Sequence, residues 1–183
     1  RDSAILGFFD IANKEDFILL SDLDEIPNPE AISLAIKKKI TKPCYFKMKW
    51  FLYWINNQVS EPWFGTVLFK FKNLKGNSLD NFRFASSNEI KVPGKIIKNG
   101  GWHFSYLGGI DAIIYKLKSH PFQGYKVLIA LILNNLKVRE IKNTVKQNKD
   151  IFFKNRTLSI IDIDDSYPSE ILKDKAFIKK YSY

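Results

Sequence analysis

FILLSDLDEIPNPEAI, residues 17–32, runs from an apolar stretch into three carboxylates and then into a proline turn. Phe17 to Ser21 reads as a short buried strand. Asp22, Asp24 and Glu25 follow it at once, and such crowded like charges repel unless water, a protein cation or a metal ion offsets them. Asn28, Pro29 and Glu30 then supply an N-cap, a first helical residue and a first-turn acid, so the spacing predicts a helix from there through about Lys39. The acidic cluster is thereby placed in a strand-to-helix loop. In open α/β sheets, ligands bind at loops beyond the carboxyl ends of strands.

Working outward, Ala4 to Ala12 reads as a short helix and Asn13 to Asp16 as a polar turn. Two strands are predicted, over residues 44–55 (CYFKMKWFLYWI) and 66–72 (TVLFKFK), from their partial alternation and aromatic content. Residues 76–94 are turn-rich and polar. GGWHFSYLGG, residues 100–109, is an aromatic segment bracketed by glycine pairs that permit tight turns and close backbone approach. Helical spacing covers 110–118 and 126–143, a strand 158–163, and a last helix 169–180 with Ser169 as its cap. The pattern predicts one α/β domain over residues 1–183.

Composition narrows the function classes. With 183 residues, 45% of them apolar and 15% aromatic, the chain can build a packed core. The single cysteine, Cys44, excludes an internal disulfide and a cysteine-based metal cluster, and favours a reducing, cytoplasmic location. The net charge of +10 is carried almost wholly by lysines, the only arginines being Arg1, Arg83, Arg139 and Arg156. Nucleic-acid surfaces use arginine clusters interleaved with aromatics, so no nucleic-acid partner is expected. The charge suits anionic substrates, or peripheral association with the inner face of an acidic membrane.

The chemistry concentrates in two places. Carboxylates at i and i+2 on a loop, Asp22 and Asp24, can reach one hard cation, Mg²⁺ or Mn²⁺, with water and phosphate oxygens completing its shell. Such a cation would act as a Lewis acid on a departing nucleotide diphosphate. The same residues also fit a solvated acidic turn that favours the amino end of the next helix. His103, beside Trp102, is either a hydrogen-bonded structural residue or an imidazole ligand, which Mn²⁺ accepts. Trp50, Tyr53, Trp54 and Trp63 fit either a core or a wall that stacks on sugar rings.

Taken in order, DFILLSDLDEIPNPEAI, an aromatic-rich strand, and GGWHFSYLGG followed by a helix reaching Lys116 or Lys118 resemble glycosyltransferase family 17. That family includes the enzyme adding the bisecting β-1,4-linked N-acetylglucosamine to N-glycans, with bacterial and viral relatives. The closing YPSEILKDKAFIKKY, residues 167–181, is similar to the family's final proline-plus-helix segment. The resemblance implies a GT-A-like, Rossmann-like core with a mixed central sheet and flanking helices, whose amino-terminal nucleotide-binding half would precede residue 1. It also implies metal-dependent, inverting transfer, most simply of N-acetylglucosamine from a UDP-sugar donor to a glycan or lipid-linked saccharide acceptor.

On that resemblance Asp22 and Asp24 form the Asp-x-Asp motif, with Asp24 on the metal and Asp22 facing the ribose or the metal. His103 becomes the carboxyl-side metal ligand, Trp102 walls a sugar, and Asp16 is the acid before the strand. An inverting displacement needs a general base near the acceptor hydroxyl, for which Asp111 and Glu61 are the candidates. Arg83 is the candidate diphosphate contact. One departure stands out: family members carry a His and a Glu soon after the helix that follows Gly-Trp-His, whereas this chain reads KSHPFQGYKV, with His120 shifted and no acid nearby.

Two other readings compete. An apolar strand ending in Asp-x-Asp also opens haloacid-dehalogenase-type phosphohydrolases, with Asp22 as nucleophile and LSIIDIDDS, residues 158–166, as an acidic pair. That reading leaves GGWHFSYLGG unexplained. A lysine-rich, non-enzymatic polyanion-binding domain would instead bind in a steeply salt-dependent way.

Overall fold

The structure, a computed structural model, describes residues 2–83, 92–119, 135–151 and 156–183. His120 and the first part of the helix expected over 126–143 lie outside the described residues. The architecture is mixed α/β, with a mixed sheet and flanking helices. It divides into two compact units, residues 1–49 with 61–103 and residues 50–60 with 104–183, described in turn.

The first unit opens with a 3₁₀ helix, Asp2–Gly7, and a turn, shorter and tighter than the helix expected over 4–12. Strand β1, Phe17–Leu20, leads through the acidic turn into a short strand, β2, Glu25–Pro27, and then into helix α1, Pro29–Lys37. The Asn28 side chain caps α1 by accepting from Glu30 N at 2.9 Å, a contribution of about 1 kcal/mol. Its own backbone N–H donates to Gly100 O at 2.9 Å, which ties the helix start to the next strand over. Ala31 and Ala35, one turn apart and small enough for close approach, are the residues α1 buries.

Strand β3, Cys44–Leu52, is buried on both faces in its first half. Cys44, Phe46 and Met48 join Ala31, Ala35 and Leu68 in one apolar cluster. Tyr45 joins Val67, Phe69, Leu79 and Phe82 in a second. This double burial explains why CYFKM alternates so weakly. Strand β4, Asn57–Val59, belongs to the second unit, and β5, Val67–Lys70, to the first. β5 pairs antiparallel with β1, Phe17 facing Lys70 and Leu20 facing Val67, and with β3, Cys44 facing Leu68. One 3₁₀ turn, Phe71–Leu74, follows β5, and another, Leu79–Phe82, delivers Arg83.

The aromatic segment expected between turns is instead part of a long strand, β6, Lys95–Ser105. β6 pairs antiparallel with β2, placing Glu25 opposite His103, Ile26 opposite Trp102 and Pro27 opposite Gly101. The backbone of Gly101, at φ +132°, passes so near β2 that a Cβ there would lie 2.1 Å from Ile26 O. The glycine thus serves the close approach that the sequence suggested, within a strand. β6 also pairs with β3, and Lys95 N–H donates to Pro43 O at 2.8 Å.

In the second unit Tyr53 N–H donates to Ser105 O at 3.1 Å; this bond and the one from Lys95 to Pro43 keep the same offset along both strands, so β3 and β6 run parallel. β3 ends at Leu52 because Tyr53 takes a left-handed φ of +69°, which no strand continues through. β4 pairs antiparallel with β3 and with β7, Leu158–Ile160. Helices α2, Gly109–Ser119, and α3, Asn135–Lys146, place Ile113, Leu117 and Val145 in a cluster with Leu52, Tyr53 and Val59. The final helical stretch is two short helices, α4, Ser169–Lys173, and α5, Lys175–Tyr181. Asp174 interrupts it by accepting from Phe177 N at 2.9 Å and capping a new start, and Pro168 takes the cap position expected of Ser169. Among the described residues no helix is long and apolar enough to cross a membrane.

Candidate functional site

The acidic cluster of the first unit is a tight turn closed on itself. Glu25 N–H donates to Asp22 O at 3.1 Å, and Asp22 N–H donates to the Glu25 carboxylate at 2.9 Å. Leu23 stands fully exposed at the tip. The turn sends its three acids in three directions.

Glu25 points inward and is buried. Its Oε1 accepts from Trp63 Nε1 at 2.6 Å and from Arg83 Nη2 at 2.9 Å. Its Oε2 accepts from Arg83 Nη1 at 2.8 Å, Thr66 Oγ1 at 3.0 Å and Ser21 Oγ at 3.2 Å. Burial pushes this carboxyl up, yet the bonds from Arg83, with those from Trp63 and the Asp22 amide, outweigh it and hold the group below the usual carboxylate range. Desolvation likewise disfavours the Arg83 cation, and Glu25 and Asp22 more than restore it. Arg83 also donates to Gly65 O. Gly65 is glycine for a steric reason: a Cβ there would sit 1.7 Å from Glu25 Oε1 and 2.2 Å from Trp63 Nε1.

Asp22 turns to the outer side of the same guanidinium, 2.5 Å from Arg83 Nη2, with its side chain 44% exposed. Arg83 therefore contacts two of the three carboxylates, and its single positive charge offsets one of the three clustered charges. A protein cation supplies part of the compensation for which the sequence left a metal as an equal candidate.

Asp24 turns to β6. Its Oδ2 lies 3.3 Å from His103 Nε2, and the Asp24 side chain keeps a quarter of its surface open to solvent. The pairing of β2 with β6 makes this meeting possible, because His103 stands directly opposite Glu25, the neighbour of Asp24. The Trp63 ring lies against the His103 ring, centroids 4.3 Å apart at 34°. Trp63 thus links the imidazole to the Glu25 carboxylate.

The other expected residues fall as follows. Trp102 is buried opposite Ile26, and strand alternation directs it to the face away from His103, so the tryptophan beside the imidazole is Trp63. Asp16 is an exposed turn residue whose carboxylate accepts from Asn13 N at 2.8 Å. Glu61 is exposed, in the same unit as Asp24. Asp111 is exposed in the first turn of α2, in the second unit. Arg83 is buried and engaged by Glu25 and Asp22. Sequence reading did not find Ser21, Trp63 and Thr66 as partners of Glu25. The available signal was Thr66, a polar residue directly before the apolar run Val67 to Phe69 and next to the glycine of WFGT.

Among the described residues there is no group of three or more His, Cys, Asp or Glu side chains placed to hold a metal ion. What the site offers is a pair, one carboxylate and one imidazole. Comparison with protein-family models, with curated proteins and with solved structures finds no match for this chain.

Proposed function

We propose that the chain is a metal-dependent glycosyltransferase of the family 17 type, with a GT-A-like core, in which Asp24 and His103 form the cation-binding end of a nucleotide-sugar site. The observation that carries this reading is the 3.3 Å separation of Asp24 Oδ2 and His103 Nε2. Each comes from one of the two motifs on which the resemblance rests, and the β2–β6 pairing joins them.

The residues present fit Mn²⁺, which accepts an imidazole beside a carboxylate and completes its shell with water and substrate phosphates, while Mg²⁺ would be held through Asp24 alone. The 3.3 Å spacing is close to the roughly 3 Å between neighbouring ligands at bond lengths near 2.1 Å. Such a cation supplies Lewis-acid stabilisation of the diphosphate leaving group. The chain's own residues do the rest. Trp63 holds the His103 ring by a tilted ring contact, and the Glu25 network fixes the turn that presents Asp24. Asp22, anchored by Arg83 and 44% exposed, is the residue that would meet a ribose hydroxyl. Glu61, exposed in the same unit, is the general-base candidate for accepting the acceptor hydroxyl's proton. UDP-N-acetylglucosamine is the donor the family resemblance favours, with a glycan or lipid-linked saccharide as acceptor.

The test is a thermal melt of the protein with Mn²⁺ and UDP together. Ligand at a hundredfold excess over Kd adds about 2.7 kcal/mol, a rise of roughly 5–10 °C for a chain of this size. Asp24→Ala and His103→Ala should each abolish the rise. No shift with Mn²⁺ and any of UDP, GDP or their sugars would overturn the proposal.

A further inference from the structure

An open groove of about 540 Å³ runs between α1 and the first residues of β6 within the first unit. Its walls include Leu34 and Ile96, both about half exposed, and Ala35 is buried at its floor. Four exposed lysines rim it, Lys38 and Lys39 after α1 and Lys95 and Lys98 on β6. Among the described residues no carboxylate is paired with any of the four. The chain has no Asp or Glu from Ala31 to Ser60, nor from Val92 to Ile110.

Helix physics accounts for part of this charge, since cations favour a helix carboxyl end, where Lys38 and Lys39 stand. Lys95 and Lys98 stand on a strand and gain nothing from that field. Two separate elements therefore converge on one acid-free, apolar-lined groove. Lysines meet phosphate from any source, but the groove lining offers no aromatic on which a base could stack, and its apolar walls add nothing to the binding of a free phosphate. Half-exposed aliphatic side chains ringed by lysine are the chemistry of an interfacial membrane contact.

We propose that this groove docks the protein on an anionic phospholipid surface, with Leu34 and Ile96 entering the acyl boundary and the four lysines meeting headgroup phosphates. The proposal does not depend on transferase activity, because none of these residues belongs to the Asp24–His103 site. The experiment is flotation of the protein with phosphatidylcholine vesicles, with and without phosphatidylserine. Binding is expected only to the anionic vesicles. A lysine near such a surface contributes about fivefold in affinity, so K95Q/K98Q should weaken binding roughly 25-fold. Leu34→Ser should weaken it further at unchanged charge. K142Q/K146Q, an equal charge loss from the exposed side of α3, should change it less than threefold. Circular dichroism and melting of each variant confirm folding. Equal losses in the two lysine pairs, no effect of Leu34→Ser, or tighter binding to an oligonucleotide or polyglutamate through the same lysines would each overturn the proposal.

Discussion

Arg83 grips Glu25 with both terminal nitrogens, Nη1 to Oε2 at 2.8 Å and Nη2 to Oε1 at 2.9 Å, inside a first unit whose acidic turn hangs from that contact. The carboxylate also accepts from Trp63, Thr66, Ser21 and the Asp22 amide. Glu25 therefore organises the turn, from which the partly exposed Asp22 and Asp24 project toward Arg83 and His103. Buried pairs of this kind cost much desolvation, and their value lies in the geometry they fix.

The first prediction concerns what happens when that pair is broken. Glu25→Leu leaves Arg83 buried with only the partly exposed Asp22 as counter-charge, and should cost about 3–5 kcal/mol in urea unfolding. In many proteins, replacing both members of such a pair by apolar residues restores stability. Here Trp63 Nε1, Thr66 Oγ1 and the Asp22 amide would still lose their acceptor. Glu25→Leu with Arg83→Met should thus recover only part of the loss, remaining about 2 kcal/mol below the natural chain. Asp22→Asn, at a partly exposed ion pair, should cost less than about 1 kcal/mol.

The second prediction is the acid response. The Glu25 carboxyl titrates lower in the folded chain than its ordinary value, so the stability it provides is present above the unfolded pKa, near 4.3. It is lost as pH falls through the folded value, because the unfolded chain then binds the proton more readily. Urea midpoints should be flat from about pH 7 to 5 and drop below about pH 4.5. Glu15, held down to about 2 by bonds from Lys70 and Lys72, titrates in the same sense. The control is therefore Glu15→Gln, which should keep most of the slope, while Glu25→Gln should flatten it. An unchanged slope in Glu25→Gln would contradict the assignment.

How much of this was legible in the sequence follows from the range of each interaction. The strand at Phe17, the Asn28 cap and the proline-started helix are set by neighbours in the chain, and each was readable. The Asp24–His103 meeting was readable only as a coincidence of two motifs, since it needs the β2–β6 register. β2 is three residues long and carries a proline, too short to show alternation, so the loop expected there hid a strand. The Glu25 network was not legible, because its partners, Ser21, Trp63, Thr66 and Arg83, are gathered by tertiary packing with no shared spacing. The two-unit division was hidden for a related reason: β3 and β6 carry the chain between the units without a change of composition.

A third prediction uses two glycines. Gly65→Ala drives a methyl into the Glu25 carboxylate and the Trp63 indole, and should destabilise by about 3 kcal/mol or more because a buried charge loses its partners. Gly101→Ala meets Ile26 O and a φ that side chains avoid. It should push β2 from β6, so its Mn²⁺ and UDP affinity should fall more than its melting temperature predicts. Gly7→Ala, with nothing within 4 Å of the added methyl, is the neutral control for both.

The last prediction separates the two aspartates of the Asp-x-Asp turn. Asp24 faces His103 and solvent, and Asp22 faces Arg83. If Asp24 and His103 share a cation, their mutual closeness is a consequence of positioning for a ligand and contributes little to folding. Asp24→Asn, at a partly exposed side chain, should then leave the ligand-free urea midpoint within about 0.5 kcal/mol of the natural chain, whereas His103→Gln, at a buried ring packed on Trp63, should cost about 1 kcal/mol in either case. In titration calorimetry with Mn²⁺ and UDP, each should weaken binding by at least roughly 100-fold, beyond the loss typical of an outer-shell partner. Asp22→Asn should weaken the same binding by less, about tenfold, because it alters the ribose side and the Arg83 anchor while leaving both cation ligands in place. Were the pair purely structural, the pattern would invert: Asp24→Asn and His103→Gln would lower the midpoint together, and Mn²⁺ would leave all three variants and the natural chain unchanged.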